Sequence, residues 1–331
     1  MKPTCLFFDI ECANSFKNIG KICSFGYVLC TQDFTVIESD DILMNPDAPF
    51  DWYLFAPGSK CHLSYPKEEY ARHPKFPEFY GRIKALMERE NCTIIGFGTA
   101  GDANFVVSEC TRYRLEQLRF SCYDIHPVLE KQYESQGGLQ KFTELLQIDT
   151  EDLHFHDSRA DAYLTMKVTE KLCKDTGKSI SQVFKGFTPI TSEHIFTDRI
   201  RKYYIATVQQ KIDALIKRPA RPQGGKNQAL KGMEFFLLLP RKADIDAVYT
   251  ICKDITEHGG RIAKKNRPNA VIVKPGKGSA PDQTAKKQQQ CMPLHELYRR
   301  MGIPAPALPP QKPVPQGFDY LAAFTALLQS S

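Results

Sequence analysis

The sequence lacks a C-x-x-C pair and long apolar runs, and it contains a single tryptophan. Its 11 cysteines are scattered from Cys5 to Cys291. Most lie in apolar stretches, where a free thiol behaves as a small hydrophobic side chain, so we expect reduced cysteines without a disulfide framework. The longest apolar runs, residues 5–8 and 235–240, are shorter than the roughly 20 residues that cross a bilayer. Asp9 interrupts any signal-peptide core, and the sequence therefore predicts a cytoplasmic protein that does not enter a membrane.

Charge is distributed unevenly along the 331 residues, whose formal net charge is +6. Residues 1–217 carry 26 basic and 30 acidic side chains, whereas residues 218–300 carry 17 basic and 7 acidic ones. Such a positive excess attracts polyanions such as nucleic acid, although a lysine-rich surface is also an ordinary solvated one. The length and the 42% hydrophobic content suit a globular protein with two domains.

Two acidic residues, Asp9 and Glu11, lie in a predicted strand near the N-terminus. Because alternate residues of a strand share a face, these two side chains project together while apolar residues cover the opposite, buried face. The apolar residues are Leu6, Phe8 and Ile10. Two neighbouring carboxylates raise each other's pKa unless a cation lies between them, so the pattern favours a divalent metal site over a solvated strand.

Further polar residues lie where predicted strands pass into helices. Asp102 follows a turn of small residues at 98–101, and it is either a third acid of the site or a helix N-cap. His156 lies in the loop before a predicted helix, and Asp161 lies in the first two turns of that helix. This arrangement directs a histidine and a carboxylate to one edge of the sheet, with His154 as the competing histidine.

Three aromatic residues, Trp52, Tyr53 and Phe55, occupy a predicted irregular segment between residues 51 and 64. Aromatic faces stack on nucleobases without reading sequence, and they also fill hydrophobic cores. The sequence favours core packing for this cluster and leaves base stacking as the alternative.

Three blocks, in this order, resemble the motifs of the DEDDh 3′–5′ exonucleases. The blocks are Asp9-x-Glu11, Asp102 after a glycine-rich turn, and His156-x-x-x-x-Asp161-Ala162-x-x-Thr165. That family belongs to the ribonuclease H-like superfamily and includes polymerase proofreading subunits and RNA-trimming enzymes. The resemblance covers about residues 1–176 and implies a ribonuclease H-like mixed α/β sheet flanked by helices.

The resemblance also implies a role for each of five residues. Four acids would bind two Mg²⁺ or Mn²⁺ ions, and one histidine would be the general base that deprotonates the attacking water. The acids are Asp9, Glu11, Asp102 and Asp161, and the histidine is His156. Hard cations prefer oxygen ligands, and two of them stabilise both the attacking and the leaving oxygen of a phosphodiester. A histidine with an ordinary pKa of about 6.5 suits proton transfer near neutral pH.

The second half of the sequence predicts a connector and a smaller α/β domain. Residues 192–217 have helical spacing and either pack on the first domain or act as a spacer, and the Pro- and Gly-rich residues 218–225 predict a linker. Beyond it, the order strand, helix, Gly-Gly turn at 259–260, strand, strand resembles a BRCT domain. Such domains bind DNA ends, phosphopeptides or partner proteins. Leu-Pro at 239–240 replaces the usual Ser or Thr with Gly, which argues against phosphopeptide capture.

Two basic segments lie in this second half, at residues 264–267 and 274–287. They would form loops that either contact phosphates or remain solvated tethers.

The sequence therefore predicts a DEDDh exonuclease domain at 1–176, a helical connector and linker at 177–228, and a BRCT-like domain at 229–331. We expect a two-metal-dependent 3′–5′ exonuclease that releases nucleoside monophosphates from a single-stranded or frayed 3′ end, favours DNA over RNA, and serves replication or repair. The basic C-terminal domain would add affinity for DNA or a protein partner. The alternatives are an exoribonuclease of the same family and a non-catalytic scaffold that binds nucleic acid.

Overall fold

The computed structural model describes residues 3–16, 19–59, 61–151, 153–217, 227–240, 242–275 and 289–329. Contacts divide the chain into a first unit, Met1–Thr197, and a second unit, Asp198–Ser331. The predicted linker at 218–225 and residues 276–287 of the basic segment lie outside the described residues. None of the described helices combines the length and the apolar character that crossing a membrane requires.

The first unit is built on six strands. They are β1 (Thr4–Phe16), β2 (Ile19–Thr31), β3 (Val36–Leu43), β4 (Cys92–Gly96), β5 (Ser121–Asp124) and β6 (Ile190–Thr191). The helices are α1 (Lys67–Arg72), α2 (Phe76–Met87), α3 (Ala100–Arg112), α4 (His126–Tyr133), α5 (Leu139–Leu145), α6 (Ser158–Thr176) and α7 (Ile180–Val183), with a 3₁₀ helix at Trp52–Phe55. Helix α8 (Ser192–Lys217) begins in this unit and continues in the second.

The strands form one mixed sheet in the order β3-β2-β1-β4-β5-β6. Strands β1, β2 and β3 form an antiparallel meander, β4 and β5 run parallel to β1, and β6 is antiparallel to β5. The predicted mixed α/β sheet flanked by helices is therefore confirmed for the first unit.

Strand β1 lies at the centre of this sheet and is buried on both faces. Leu6, Phe8 and Ile10 belong to a core with residues of α2 and α3, as the alternation predicts. Cys5 and Phe7, on the other face, belong to a second core with residues of α4 to α7. Because Asp9 and Glu11 share the face of Cys5 and Phe7, the two acids continue a buried face rather than a solvated one.

Helix α6 packs directly on β1 and β2. Its first turn approaches Gly26 of β2 so closely that a Cβ there would lie 2.0 Å from the carbonyl carbon of Ser158. Gly26 pairs with Asp9 across the sheet. The absence of a side chain at this position therefore lets the start of α6 approach the acidic end of β1.

The second unit contains a four-stranded sheet in the order β10-β9-β7-β8, in which every pair is parallel. Its strands are β7 (Glu234–Leu237), β8 (Arg261–Ile262), β9 (Val271–Lys274) and β10 (Cys291–Pro293). Its helices are α9 (Ile245–Glu257), α10 (Leu294–Met301), α11 (Tyr320–Gln329) and most of α8.

The order of β7, α9, the Gly-Gly turn, β8 and β9 agrees with the order expected from the sequence. Gly259 has a φ of +86°, a left-handed conformation that glycine adopts without strain. Val208 and Ile212 of α8 lie in the core of this unit, so the helix predicted as a connector supplies part of its packing. The BRCT class and the boundaries at 176 and 228 remain predictions.

Candidate active site

The end of β1 carries the first two acids of the site. Asp9 pairs with Gly26 and Glu11 with Ser24, and the register with β2 shifts immediately after Glu11. Such an irregularity changes the direction of the strand and is common beside functional sites. The regular part of β1 therefore ends with Asp9 and Glu11 on the face that α6 covers.

The loop before α6 places His156 beside these acids. Asp157 is the N-cap of α6, and its Oδ1 accepts the Ala160 N–H at 2.9 Å. His156 has a φ of +66°, and its backbone N–H donates to Asp161 Oδ2 at 3.0 Å. Its Nδ1 lies 3.5 Å from Glu11 Oε1. A left-handed backbone at a histidine is a local strain that the cap and the hydrogen bond to Asp161 hold in place.

Glu11, His156 and Asp161 form a compact set of ligand atoms. One nitrogen or oxygen from each lies within 4.8 Å of the others. Among the described residues, this group has the spacing that could hold a metal ion. His154, the competing histidine, is exposed and stands outside this set. The geometry therefore brings together three of the five predicted site residues through their ligand atoms.

Asp9 and Asp102 are linked to this set by electrostatics. Burial raises the pKa of Asp9 well above its ordinary value, and the charges of Asp102, Asp161 and Glu11 raise it further. Burial likewise raises the pKa of Asp102, with further contributions from Glu11, Asp124 and Asp161. All four predicted acids therefore repel one another in one partly buried region.

The pKa values of the other two acids are also raised. Burial raises the pKa of Glu11, although His156 beside it acts in the opposite direction. Burial raises the pKa of Asp161 to about 7, against the lowering effect of the hydrogen bond from the His156 N–H. Desolvation is the largest cause at each acid, and like charges add to it, as expected for carboxylates that lack a counter-ion.

These residues fit a divalent cation. Asp161 Oδ1 is buried and has no hydrogen-bond partner among the described residues, although its Oδ2 is satisfied by His156. An unpaired buried carboxylate oxygen is costly, and a bound cation would remove both this cost and the mutual repulsion of the acids. Carboxylate oxygens are the ligands that Mg²⁺ and Mn²⁺ prefer.

Asp102 does not cap a helix. The N-cap of α3 is Thr99, and Asp102 lies in the first helical turn. The interpretation of Asp102 as an N-cap is therefore wrong, because the chain enters the helix earlier than the small-residue turn suggested. Gly98 has a φ of +66°, and its N–H donates to Asp124 Oδ1 at 2.9 Å, which fixes the turn.

Two polar groups near the site escaped the sequence analysis. Asp124, at the end of β5, adds to the raised pKa of Asp102 and accepts the N–H of His126 at 3.0 Å. Asp41 of β3 accepts a hydrogen bond from Ser158 Oγ at 2.8 Å and another from Ser24. The second network ties the start of α6 to β2 and β3, and no local pattern in the sequence relates these three distant positions.

The aromatic cluster divides in the structure. Phe55 packs in a small core with Phe50 and Tyr70. Trp52 is 79% exposed and Tyr53 is 42% exposed, so the prediction of core packing is wrong for these two residues.

No protein-family model and no curated protein matches the sequence. Among solved structures, the chain is similar to a 3′-exonuclease that recognises the 3′ end of the histone mRNA stem-loop, with 14% identity and a TM-score of 0.45, over 53% of this chain and 83% of that one. It is also similar to E. coli exonuclease I in complex with a dA16 oligonucleotide, with 19% identity and a TM-score of 0.43, over 56% of this chain and 42% of that one.

A third similar structure is the nuclease domain of 3′hExo, a DEDDh family member bound to rAMP, with 14% identity and a TM-score of 0.45. That match covers 53% of this chain and 93% of the other. The similarity thus spans about half of this chain and less than half of exonuclease I. None of these matches supports the BRCT resemblance of the second unit.

Proposed function

We propose that the first unit is a metal-dependent 3′–5′ exonuclease of the DEDDh type. It would hydrolyse the terminal phosphodiester bond of a nucleic-acid strand and release nucleoside monophosphates. We expect it to prefer DNA to RNA. One observation carries the proposal: the ligand atoms of Glu11, His156 and Asp161 converge within 4.8 Å beside a buried, unpartnered oxygen of Asp161. Asp9 and Asp102 belong to the same acidic region, since the charges of the other acids raise their pKa values.

In this proposal Asp9, Glu11, Asp102 and Asp161 hold two divalent cations. The cations would supply positive charge at the attacking and leaving oxygens and make a water acidic enough to react near neutral pH. His156 accepts the proton of the attacking water. Glu11, whose Oε1 lies 3.5 Å from His156 Nδ1, stabilises the positive charge that the imidazole then gains.

The second unit is proposed to add affinity for the nucleic acid or for a protein partner. Lys231, Arg261 and Arg267 line one recess of this unit, and Arg267 also lies 3.6 Å from Glu234. Cations that face a common recess favour phosphate contacts, whose strength falls steeply with salt.

The test uses matched DNA and RNA oligonucleotides, labelled at the 5′ end, with free or blocked 3′ ends. With Mg²⁺ or Mn²⁺, the protein should shorten strands that have a free 3′ end, one nucleotide at a time. Substitution of a residue that only hydrogen-bonds to a metal ligand usually lowers activity by roughly 10- to 100-fold. Asp161→Asn changes a proposed ligand itself and should lower the rate by more than that. The control is Asp175→Asn, at the exposed end of the same helix, which should keep full activity.

A second readout is independent of turnover. Mn²⁺ should raise the melting temperature of the wild-type protein, because a ligand that binds only the folded state stabilises it. It should have much less effect on Asp161→Asn. Undiminished shortening by Asp161→Asn would refute the proposed site. Degradation of RNA alone would establish the exoribonuclease alternative, and strand binding with neither degradation nor Mn²⁺ stabilisation would favour the scaffold.

A further inference from the structure

The single tryptophan of the chain is the most exposed large hydrophobic side chain in the described residues. Trp52 is 79% exposed, and the neighbouring Tyr53 is 42% exposed. The two rings lie 6.3 Å apart at 85°, an edge-to-face pair that leaves most of the indole open. Contiguous exposed apolar side chains often mark a binding surface, and this aromatic pair is a candidate for one.

The segment that carries Trp52 is held firmly from within. Leu54 and Leu63 are buried in a small core with Cys23 and Tyr70. The Leu63 N–H donates to the Leu54 carbonyl at 3.1 Å, which closes the segment on itself. The backbone of the segment is therefore fixed by a packed core, and Trp52 is exposed although the residues around it are packed.

The same segment is attached at two points to the proposed active site. The Asp51 N–H donates to the Ala13 carbonyl at 2.8 Å, so the residue before Trp52 is hydrogen-bonded to β1 two residues beyond Glu11. Two residues of a strand span about 7 Å. At the other end, Ser64 Oγ lies 3.5 Å from the His156 carbonyl oxygen. The segment that carries Trp52 is thus anchored to β1 and to the loop that carries His156, the two elements that supply Glu11 and the histidine.

We propose that Trp52, supported by Tyr53, stacks on a base of the single-stranded substrate near its 3′ end. This inference rests on the proposed exonuclease function and adds a substrate contact to it. A base has an apolar π-face whatever its identity, so stacking holds a strand without sequence preference. Lys67 on the following helix is exposed, with its Nζ 4.9 Å from the Phe55 ring centre, and would supply a cation for a nearby phosphate.

Because Trp52 is the only tryptophan, the wild-type protein reports on this contact directly. The protein is titrated with short oligo(dT) in Ca²⁺, and indole fluorescence is compared with the anisotropy of a separately labelled strand. We expect the fluorescence to be quenched in step with binding. Strands with one abasic site, moved stepwise from the 3′ end, should lose the quenching at one or two positions within the last few nucleotides.

Steady-state kinetics with Mg²⁺ test the same contact. Trp52→Ala and Trp52→Leu should raise KM for single-stranded DNA about 5- to 100-fold, the effect of losing one stacked base, and leave kcat within about twofold. Trp52→Phe should recover most of the affinity, since it restores an aromatic face. Ile37→Ala removes another exposed apolar side chain, at the opposite end of the sheet, and should change neither constant.

Three outcomes would overturn the inference. Binding without quenching would leave the Trp52 surface to another kind of partner, and equal quenching by every abasic strand would exclude stacking on a particular base. Equal KM values for Trp52→Leu and Trp52→Phe would show that an aromatic face is not needed. In each case strand shortening continues, and the exonuclease proposal stands. A protein that neither binds nor shortens the strand would refute both.

Discussion

The two units bury aspartates in opposite ways. In the second unit, Asp244 is 2% exposed, yet both of its carboxylate oxygens have partners: Oδ1 accepts the Ala247 N–H at 3.2 Å and Oδ2 accepts the Lys312 N–H at 2.9 Å. In the first unit, Asp161 is 9% exposed, its Oδ1 has no hydrogen-bond partner among the described residues, and burial together with the charge of Glu11 raises its pKa. Burial alone therefore does not show whether a carboxylate has a structural role.

The difference lies in how the charge is compensated. Asp244 caps α9 and ties it to the chain at Lys312, which is what a buried carboxylate does in a stable core. Asp161 lies in the first turn of α6, beside Glu11, and the described residues offer no hydrogen-bond donor to its Oδ1. A group whose cost the fold does not offset, in a cluster with perturbed pKa values, indicates function.

The largest expected effect concerns the histidine of the site. His156→Asn should lower kcat by about 10²- to 10⁴-fold, because a general base contributes that much, and it should keep the Mn²⁺-dependent rise in melting temperature. Asparagine suits this position, since it tolerates the left-handed backbone of residue 156 better than alanine does. His154→Asn is the matched control and should change neither quantity. Undiminished kcat in both variants would show that neither histidine is the base.

Glu109 of α3 is an intermediate case, because it is buried with a partner. Arg112 lies 3.2 Å from its Oε1, yet burial raises the pKa of Glu109 from its ordinary 4.5 to about 7. Between these two values the folded protein keeps a proton that the unfolded chain has released. The free energy of unfolding should therefore fall by up to about 3 kcal/mol as the pH rises from 4.5 to 7.

Glu109→Gln should remove this contribution to the pH dependence, as measured by urea unfolding at several pH values with chelator present. Arg112 keeps partners in the variant, since it also donates to the Pro46 and Asp47 carbonyls at 2.8 and 2.7 Å. An unchanged slope of stability against pH would mean that Glu109 titrates at its ordinary value.

The next largest effect on stability concerns the close approach of α6 to the sheet at Gly26. Gly26→Ala should destabilise the first unit by about 1–3 kcal/mol and lower activity, because its Cβ would displace the helix that carries Asp161. Gly81→Ala, in the exposed interior of α2, meets no atom within 4 Å and should stabilise the protein by up to about 1 kcal/mol. Calorimetric melting of both variants tests the contrast, which fails if Gly26→Ala melts like the wild type.

Gly26 also shows where sequence reasoning ends. The periodicity of residues 6–11 and the helical pattern that begins after His156 are local. They were sufficient to predict β1, the start of α6 and the face of β1 that carries the two acids. The close approach of Gly26 to Ser158, and the hydrogen bonds of Ser158 with Asp41, join positions that are more than a hundred residues apart. No local pattern encodes such contacts, because they depend on which strand a helix covers.

The prediction of core packing for the aromatic cluster was wrong for a related reason. A run such as Trp52, Tyr53 and Phe55 has the composition of a core, and composition does not say which ring turns inward. In the structure only Phe55 of the three joins the small core. The order of strands and helices in the second unit was predicted from the sequence. The sequence did not predict that the first unit ends within α8, because the assignment of this helix depends on the packing of Val208 and Ile212 in the second core.

The smallest effect tests the comparison of the two aspartates itself. With chelator present, Asp244→Ala should lower stability by about 0.5–2 kcal/mol, since it removes the cap of α9 and leaves the Lys312 N–H without its acceptor. Asp161→Asn should cost nothing or raise stability, because the amide keeps an acceptor for the His156 N–H and removes a charge repelled by three acids. Urea unfolding of both variants provides the measurement. If Asp161→Asn were the more damaging substitution without metal, then Asp161 would be a structural carboxylate like Asp244, and the unpaired oxygen would not indicate a cation.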